Sequence, residues 1–215
     1  MVFMRSAVLL LIATAAWAAE APPSISPDEV LQKMTAGNQR FAAGKATHPN
    51  ASVERRQALA GGQNPYAVVL GCSDSRVPPE IIFDAGLGDL FVIRDAGNTI
   101  DDEVLGSIEY AVEHLGSRLI MVLGHEKCGA VTAAVQGGKA EGHLTAVVGA
   151  IQPVVAEAKK QSGDAVHNCV AANARRTAAQ LRESQPLLKG MVASGKVKVV
   201  AADYDVATGQ VTILK

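Results

Sequence analysis

The chain has 215 residues, 48% of them apolar, which is enough to build one well-buried domain. Its 20 basic and 21 acidic residues nearly cancel, and no basic patch is interleaved with aromatic residues, so nothing in the composition calls for nucleic acid as a partner. A near-neutral balance suits a protein that handles a small molecule.

At the N-terminus, Arg5 precedes the apolar run AVLLLIATAA (Ala7 to Ala16), and Ala16-Trp17-Ala18 has the small-x-small pattern of a cleavage site. The run is shorter than the roughly 20 apolar residues of a membrane-spanning helix. Residues 1–18 are therefore expected to be a signal peptide. Its removal would leave a periplasmic or secreted protein with no membrane segment. Residues 19–60 read as an N-terminal helical arm. Ser26 caps a helix with Pro27 at its first position, and Val30, Leu31, Met34 and Phe41 follow at helical spacing. A second short helix is expected over Val53 to Leu59, before the break GGQNP at Gly61–Pro65.

Residues 61–215 read as an α/β domain. Ala67 to Gly71 is a buried strand that delivers Cys72, Asp74 and Arg76 into the following loop. Pro78-Pro79 starts a short helix, Glu80 to Phe83, and a turn at Gly86–Asp89 leads to a strand over Leu90 to Arg94. The pair Gly86 and Gly88 lacks the third glycine and the flanking elements of a dinucleotide loop. Thr99 is expected to cap a helix that begins Asp101-Asp102-Glu103 and turns Val104, Leu105, Ile108, Ala111, Val112 and Leu115 inward. Leu119 to Gly124 is another apolar strand, ending in His125-Glu126-Lys127-Cys128-Gly129 with a helix from about Ala130. Helices follow over Leu144–Lys160, kinked or interrupted at Pro153, and over Asn168–Leu188. The last strands are Val197–Ala202 and Val211–Leu214. Apolar strands alternating with helices predict a mainly parallel β-sheet flanked by helices.

Two strand ends carry chemically similar cargo: Cys72 and Asp74 after one, His125 and Cys128 after the other. In an open α/β sheet, loops at the carboxyl ends of neighbouring strands share one crevice. Two thiolates, an imidazole and a carboxylate meeting there make a tetrahedral zinc site. Cys169, in an Ala-rich helical stretch, reads as a small buried hydrophobe. No Cys-x-x-Cys pair, Gly-x-Ser-x-Gly or His-Glu-x-x-His is present. A Cys72–Cys128 disulfide is open to an exported protein but leaves Asp74, Arg76 and His125 without a role.

The pair of motifs Cys72-Ser-Asp74-Ser-Arg76 and Gly124-His125-x-x-Cys128-Gly129 resembles the signature of the β-class carbonic anhydrases. The likeness runs from Gly37-Asn38-Gln39-Arg40-Phe41 through Pro79–Asn98 and Gly106–Gly116 to Tyr204-Asp205 and Thr208-Gly209. It implies one Zn2+ per subunit on Cys72, His125 and Cys128, with water or Asp74 as the fourth ligand. It also implies reversible hydration of carbon dioxide to bicarbonate and a proton. Where three neutral imidazoles hold the zinc of a carbonic anhydrase, the bound water has a pKa of about 7. Two thiolates already offset the charge of the cation and should lower that pKa less, so activity is expected to rise on the alkaline side.

Asp74 then has two roles open to it: paired with Arg76 it is held off the metal, accepts a hydrogen bond from zinc-bound hydroxide and aims a lone pair at the substrate carbon, and without that pairing its carboxylate can swing onto zinc and close the site. Gln63, nine residues before Cys72, stands where plant-type members carry a glutamine that bonds the substrate oxygen. Phe91 and Ala96 resemble positions lining a small apolar carbon dioxide pocket. Such a pocket is completed by a neighbouring subunit, which implies a homodimer or higher homo-oligomer, with the arm at 27–60 as the clasp. Two other readings of the same residues stand beside this one: a non-catalytic zinc-binding protein, and hydrolysis of carbon disulfide or carbonyl sulfide.

Overall fold

The computed structural model describes residues 25–137 and 140–215. The expected signal peptide, residues 1–18, lies outside them. In chain order the elements are α1 (Pro27–Ala42), α2 (Val53–Ala58), β1 (Ala67–Cys72), α3 (Pro79–Ile82), β2 (Leu90–Asp95) and α4 (Asp102–Glu113). They continue with β3 (Leu119–His125), α5 (Gly129–Gln136), α6 (Leu144–Ala158), α7 (Ala165–Glu183), α8 (Leu188–Ala193), β4 (Lys198–Tyr204) and β5 (Val211–Leu214). No described helix is long and apolar enough to cross a membrane.

The strands form one sheet in the order β2-β1-β3-β4-β5, parallel except for β5, which runs antiparallel to β4. Every residue of β1 and β3 is buried, the mark of central strands covered on both faces. Alternate residues serve opposite faces. Val68, Leu70, Ile120 and Val122 pack with Ile108 of α4 and Ala178 and Leu181 of α7. Ala67, Val69, Met121 and Leu123 pack with Val30 and Met34 of α1 and Ile82 of α3. The helix at the start of the expected arm is thus seated on its own sheet, whereas α2 buries no residue.

The start of α1 follows the sequence expectation. The Ser26 hydroxyl accepts from the Glu29 N–H at 3.3 Å, and the Glu29 carboxylate accepts from the Ser26 N–H at 2.8 Å, a reciprocal capping box. Gly37 allows α1 to touch α3, because a Cβ there would stand 1.9 Å from the Phe83 carbonyl oxygen.

Three local expectations change. Asp101, not Thr99, caps α4, its Oδ1 accepting from the Val104 N–H at 2.8 Å. Thr99 is drawn away because its N–H and hydroxyl both donate to Asp95 Oδ2, at 3.0 and 2.6 Å. Pro153 sits inside an unbroken α6. The carbonyl it deprives of a partner belongs to Gly149, which like Pro153 faces solvent, where water can replace the lost bond. The helix expected to run to Leu188 ends at Glu183 instead. Pro186 disfavours helical geometry in the residue before it, and the chain restarts as α8.

Candidate metal centre

From β1 the chain steps to β2 on one side of the sheet and later to β3 on the other. The reversal opens a crevice at the carboxyl ends of β1 and β3, where ligands bind in open α/β sheets. Gly71 is in register with Leu123, so Cys72 at the end of β1 and His125 at the end of β3 arrive at this crevice together. Cys128 follows as the N-cap of α5. The tight return is made at Lys127, whose φ of 55° lies in the left-handed region.

The donor atoms of Cys72, His125 and Cys128 lie within 4.8 Å of one another, and all three residues are buried. The two sulfurs are 4.0 Å apart, close to the roughly 3.8 Å between two thiolates on one tetrahedral zinc with bonds near 2.3 Å. That distance is far beyond a disulfide bond, and both cysteines are free. His125 Nδ1 is 2.9 Å from the Glu126 carbonyl oxygen, which only accepts, so Nδ1 carries the proton. Nε2 then presents a lone pair, and this atom is fully buried without a hydrogen-bond partner. An orphaned buried acceptor is costly, and a cation held between it and the two sulfurs would satisfy it. The donor set and its spacing fit a zinc ion.

The electrostatics agree. The Cys128 thiol beside it pulls the Cys72 thiol down to about 4, helped by His125 and by the Gly97 N–H, which donates to Cys72 Sγ at 3.3 Å. The thiolate on Cys72 in turn pushes the Cys128 thiol up. A cation between the sulfurs would remove that conflict by stabilising both thiolates.

Asp74 Oδ2 stands 4.0 Å from His125 Nε2 and belongs first to Arg76. The Arg76 N–H and Nε donate to Asp74 Oδ1, both at 2.9 Å, and Nη2 donates to Oδ2 at 2.6 Å. This fork holds the Asp74 carboxyl well below the usual carboxylate range. Arg76 Nη2 also donates to the Lys127 carbonyl at 3.3 Å, tying the two ligand loops together.

The remaining expected residues divide. Ala96 lies half-buried in the loop after β2, next to Gly97 and so beside Cys72. Gln63 is exposed and precedes β1, at the end of the sheet opposite the crevice. Phe91 is in register with Val68, whereas Cys72 is in register with Asp95, so Phe91 also sits toward that far end. Its ring lies 6.3 Å from Tyr110, which is exposed on α4. A single chain does not bring Gln63 or Phe91 to its own cysteines.

Three residues of the site escape a reading of the sequence. Arg94 Nε donates to the Cys72 carbonyl at 2.8 Å, and its Nη2 donates to the Asp74 carbonyl, clamping the loop from behind. An arginine closing the apolar stretch Leu90–Ile93 is the signal that could have found it. Gly97 adopts φ 86°, and a Cβ there would meet Ile151 Cδ1 at 2.8 Å. Its carbonyl accepts from Asn173 Nδ2 at 2.8 Å, which anchors the loop to α7. Neither the Gly97 turn nor the Asn173 anchor leaves a trace in a local motif.

A carbonic anhydrase family model matches residues 67–211, which span strands β1 to β4 and both ligand loops. The chain is 40% identical over 195 residues to carbonic anhydrase 2 of Mycobacterium tuberculosis, covering 89% of this chain and 94% of the relative. Among solved structures, the β-carbonic anhydrase CafA of Aspergillus fumigatus superposes with a TM-score of 0.68 at 32% identity, covering 86% of this chain and 90% of that one. One of two tetrameric β-carbonic anhydrases from Sordaria macrospora superposes with a TM-score of 0.69 at 26% identity, covering 86% and 96%. Sequence, sheet order and the Cys72–His125–Cys128 cluster agree, and the chain belongs to the β-carbonic anhydrase family.

Proposed function

We propose that this carbonic anhydrase is a zinc-dependent enzyme for the reversible hydration of carbon dioxide to bicarbonate and a proton, exported and working as a homo-oligomer. The observation that carries the reading is the orphaned, fully buried Nε2 of His125 beside two free cysteines, with Asp74 held back by Arg76. Cys72, His125 and Cys128 would hold the zinc, and their two thiolates offset its charge. When bound, zinc lowers the pKa of a coordinated water and so supplies a nucleophile near neutral pH.

The other residues orient that chemistry. Both carboxylate oxygens of Asp74 are engaged by Arg76, which keeps the group ionised and fixes its direction. A fixed acceptor beside the cluster takes a hydrogen bond from the attacking water and aims its lone pair at the substrate carbon. A protein that merely retained zinc would need neither Asp74 nor the Arg76 fork. Arg94 maintains the arrangement by holding the loop backbone.

Gln63 and Phe91 would serve the site of a neighbouring copy, with Ala96 lining its own chain's half of the pocket. Their distance along the sheet from Cys72 supports this, as does the edge strand β2, whose apolar residues stay half-exposed. Exposed Ile81, Leu87 and Tyr110 add to the uncovered apolar surface. The tetrameric Sordaria macrospora relative supports a homo-oligomer. Export rests on the N-terminal pattern of Arg5, the apolar run and Ala16-Trp17-Ala18.

Stopped-flow carbon dioxide hydration, with zinc content measured on the same samples, tests the reading. Wild type is expected to catalyse, and Asp74→Asn to keep its zinc while losing about a hundred-fold in kcat/KM. Zinc-loaded wild type with no hydration above background would reject the enzyme reading in favour of a binding protein.

A further inference from the structure

One residue on from His125, a second group of ligand-type side chains converges. Glu126 in the loop after β3, His167 in the first turn of α7 and Asp203 on β4 bring one donor atom each to within 4.8 Å of one another. His167 Nδ1 lies 3.6 Å from Glu126 Oε1 and 3.8 Å from Asp203 Oδ2. Both distances are too long for hydrogen bonds. They approach the spacing of neighbouring ligands around one cation, about 3.4 Å for tetrahedral bonds near 2.1 Å.

Asp203 supplies the independent sign of a missing ligand. It is 8% exposed, and its Oδ1 is fully buried with no hydrogen-bond partner. A desolvated carboxylate without a donor is costly, and a cation on the adjoining Oδ2, the oxygen that faces His167, would neutralise the same group. The other two ligands are already positioned. Asp164, the N-cap of α7, accepts from the His167 N–H at 2.7 Å. The Glu126 N–H donates to the Tyr204 carbonyl at 3.0 Å, and the Glu126 carbonyl accepts from His125. A cavity of about 510 Å³, lined by Glu126, Lys127, Asp164 and His167, opens the Glu126 and His167 side of the group to solvent. Lys127 brings an opposing charge to that wall, and it also interacts with Asp205.

We propose that Glu126, His167 and Asp203 form a second site for a divalent first-row metal ion, distinct from the cysteine centre. Two carboxylates balance a dication, and one imidazole with oxygen donors suits Mn2+ or Zn2+. The absence of sulfur sets this site apart, since thiolates select zinc over manganese. Manganese therefore reports the second site in protein that carries one zinc per chain, held by the cysteine centre.

The test titrates the full-length protein, of known zinc content, with Mn2+ and follows the free ion by electron paramagnetic resonance. Wild type is expected to take up one Mn2+ per chain. Asp203→Asn, which preserves shape, and His167→Ala, at a half-exposed position, are each expected to weaken that uptake by about ten-fold or more. Their zinc content and thermal unfolding should match wild type. A wild type that binds no Mn2+, or variants that bind it as tightly as wild type, would overturn the site and leave an ion-pair cluster.

Discussion

Arg76 engages both oxygens of Asp74, and the nearer oxygen is 4.0 Å from His125 Nε2, so a modest side-chain rotation would carry the carboxylate onto the metal position. On the proposed reading, Arg76 would be the residue that keeps the fourth position open. Arg76→Ala is expected to retain zinc and lose about a hundred-fold in hydration kcat/KM, measured by stopped flow beside metal analysis. Loss of zinc in that variant would instead make Arg76 a structural tether. At this scale much is legible in the sequence. Cys72, Asp74, Arg76, His125 and Cys128 are polar groups that strands of unbroken apolar sequence deliver to their carboxyl ends, and such residues are costly there without partners. Arg94 shows only as an arginine closing an apolar stretch and Gly97 not at all, because their effect passes through backbone atoms: a carbonyl clamped by a guanidinium and an N–H aimed at a sulfur.

The elements hold the site by close packing at few points. Gly37 is one of them. Gly37→Ala would force α1 away from α3 and is expected to cost about 3 kcal/mol, read as a lower urea midpoint with the same slope. Asp84, just after α3, is another. Burial pushes its carboxyl up, but Arg40 Nε at 2.6 Å and the N–H groups of Thr47 and His48 more than reverse this, leaving it below the ordinary range. A carboxyl with a depressed folded pKa contributes its stability above the unfolded value of about 4 and loses it as pH falls through the folded one. The stability gap between wild type and Asp84→Asn, about 2 kcal/mol at pH 7, should therefore narrow below pH 4 in urea titrations. A constant gap across that range would remove Asp84 from the account. Element existence and order are legible from the apolar runs and turn residues. Misread boundaries lie where a side chain chose a distant partner, as Thr99 chose Asp95, or where solvent tolerated a lost bond, as at Pro153.

For the whole molecule, the sheet order explains why the two half-motifs meet, and the single chain explains why other residues do not join them. Parallel central strands follow from their unbroken apolar sequence, but which strands are neighbours depends on long-range packing that no local window contains. Gln63 and Phe91 make the oligomer testable. If they act on a neighbouring copy, Gln63→Ala and Asp74→Asn chains lie on opposite sides of each shared site. Co-expressed mixed oligomers should then recover activity that neither variant has alone, toward half that of wild type in a one-to-one pair. Absence of recovery would place Gln63 in its own chain's site or outside the chemistry.

Hydration is predicted to depend on zinc held by Cys72, His125 and Cys128. Removing the metal with a chelator, returning zinc in steps and measuring the carbon dioxide hydration rate at each step checks this dependence. The rate should climb in proportion to zinc and break at one equivalent per chain, with Cys128→Ser showing no such rise. A rate indifferent to zinc, or a fully loaded cysteine centre that hydrates no faster than buffer, would contradict it.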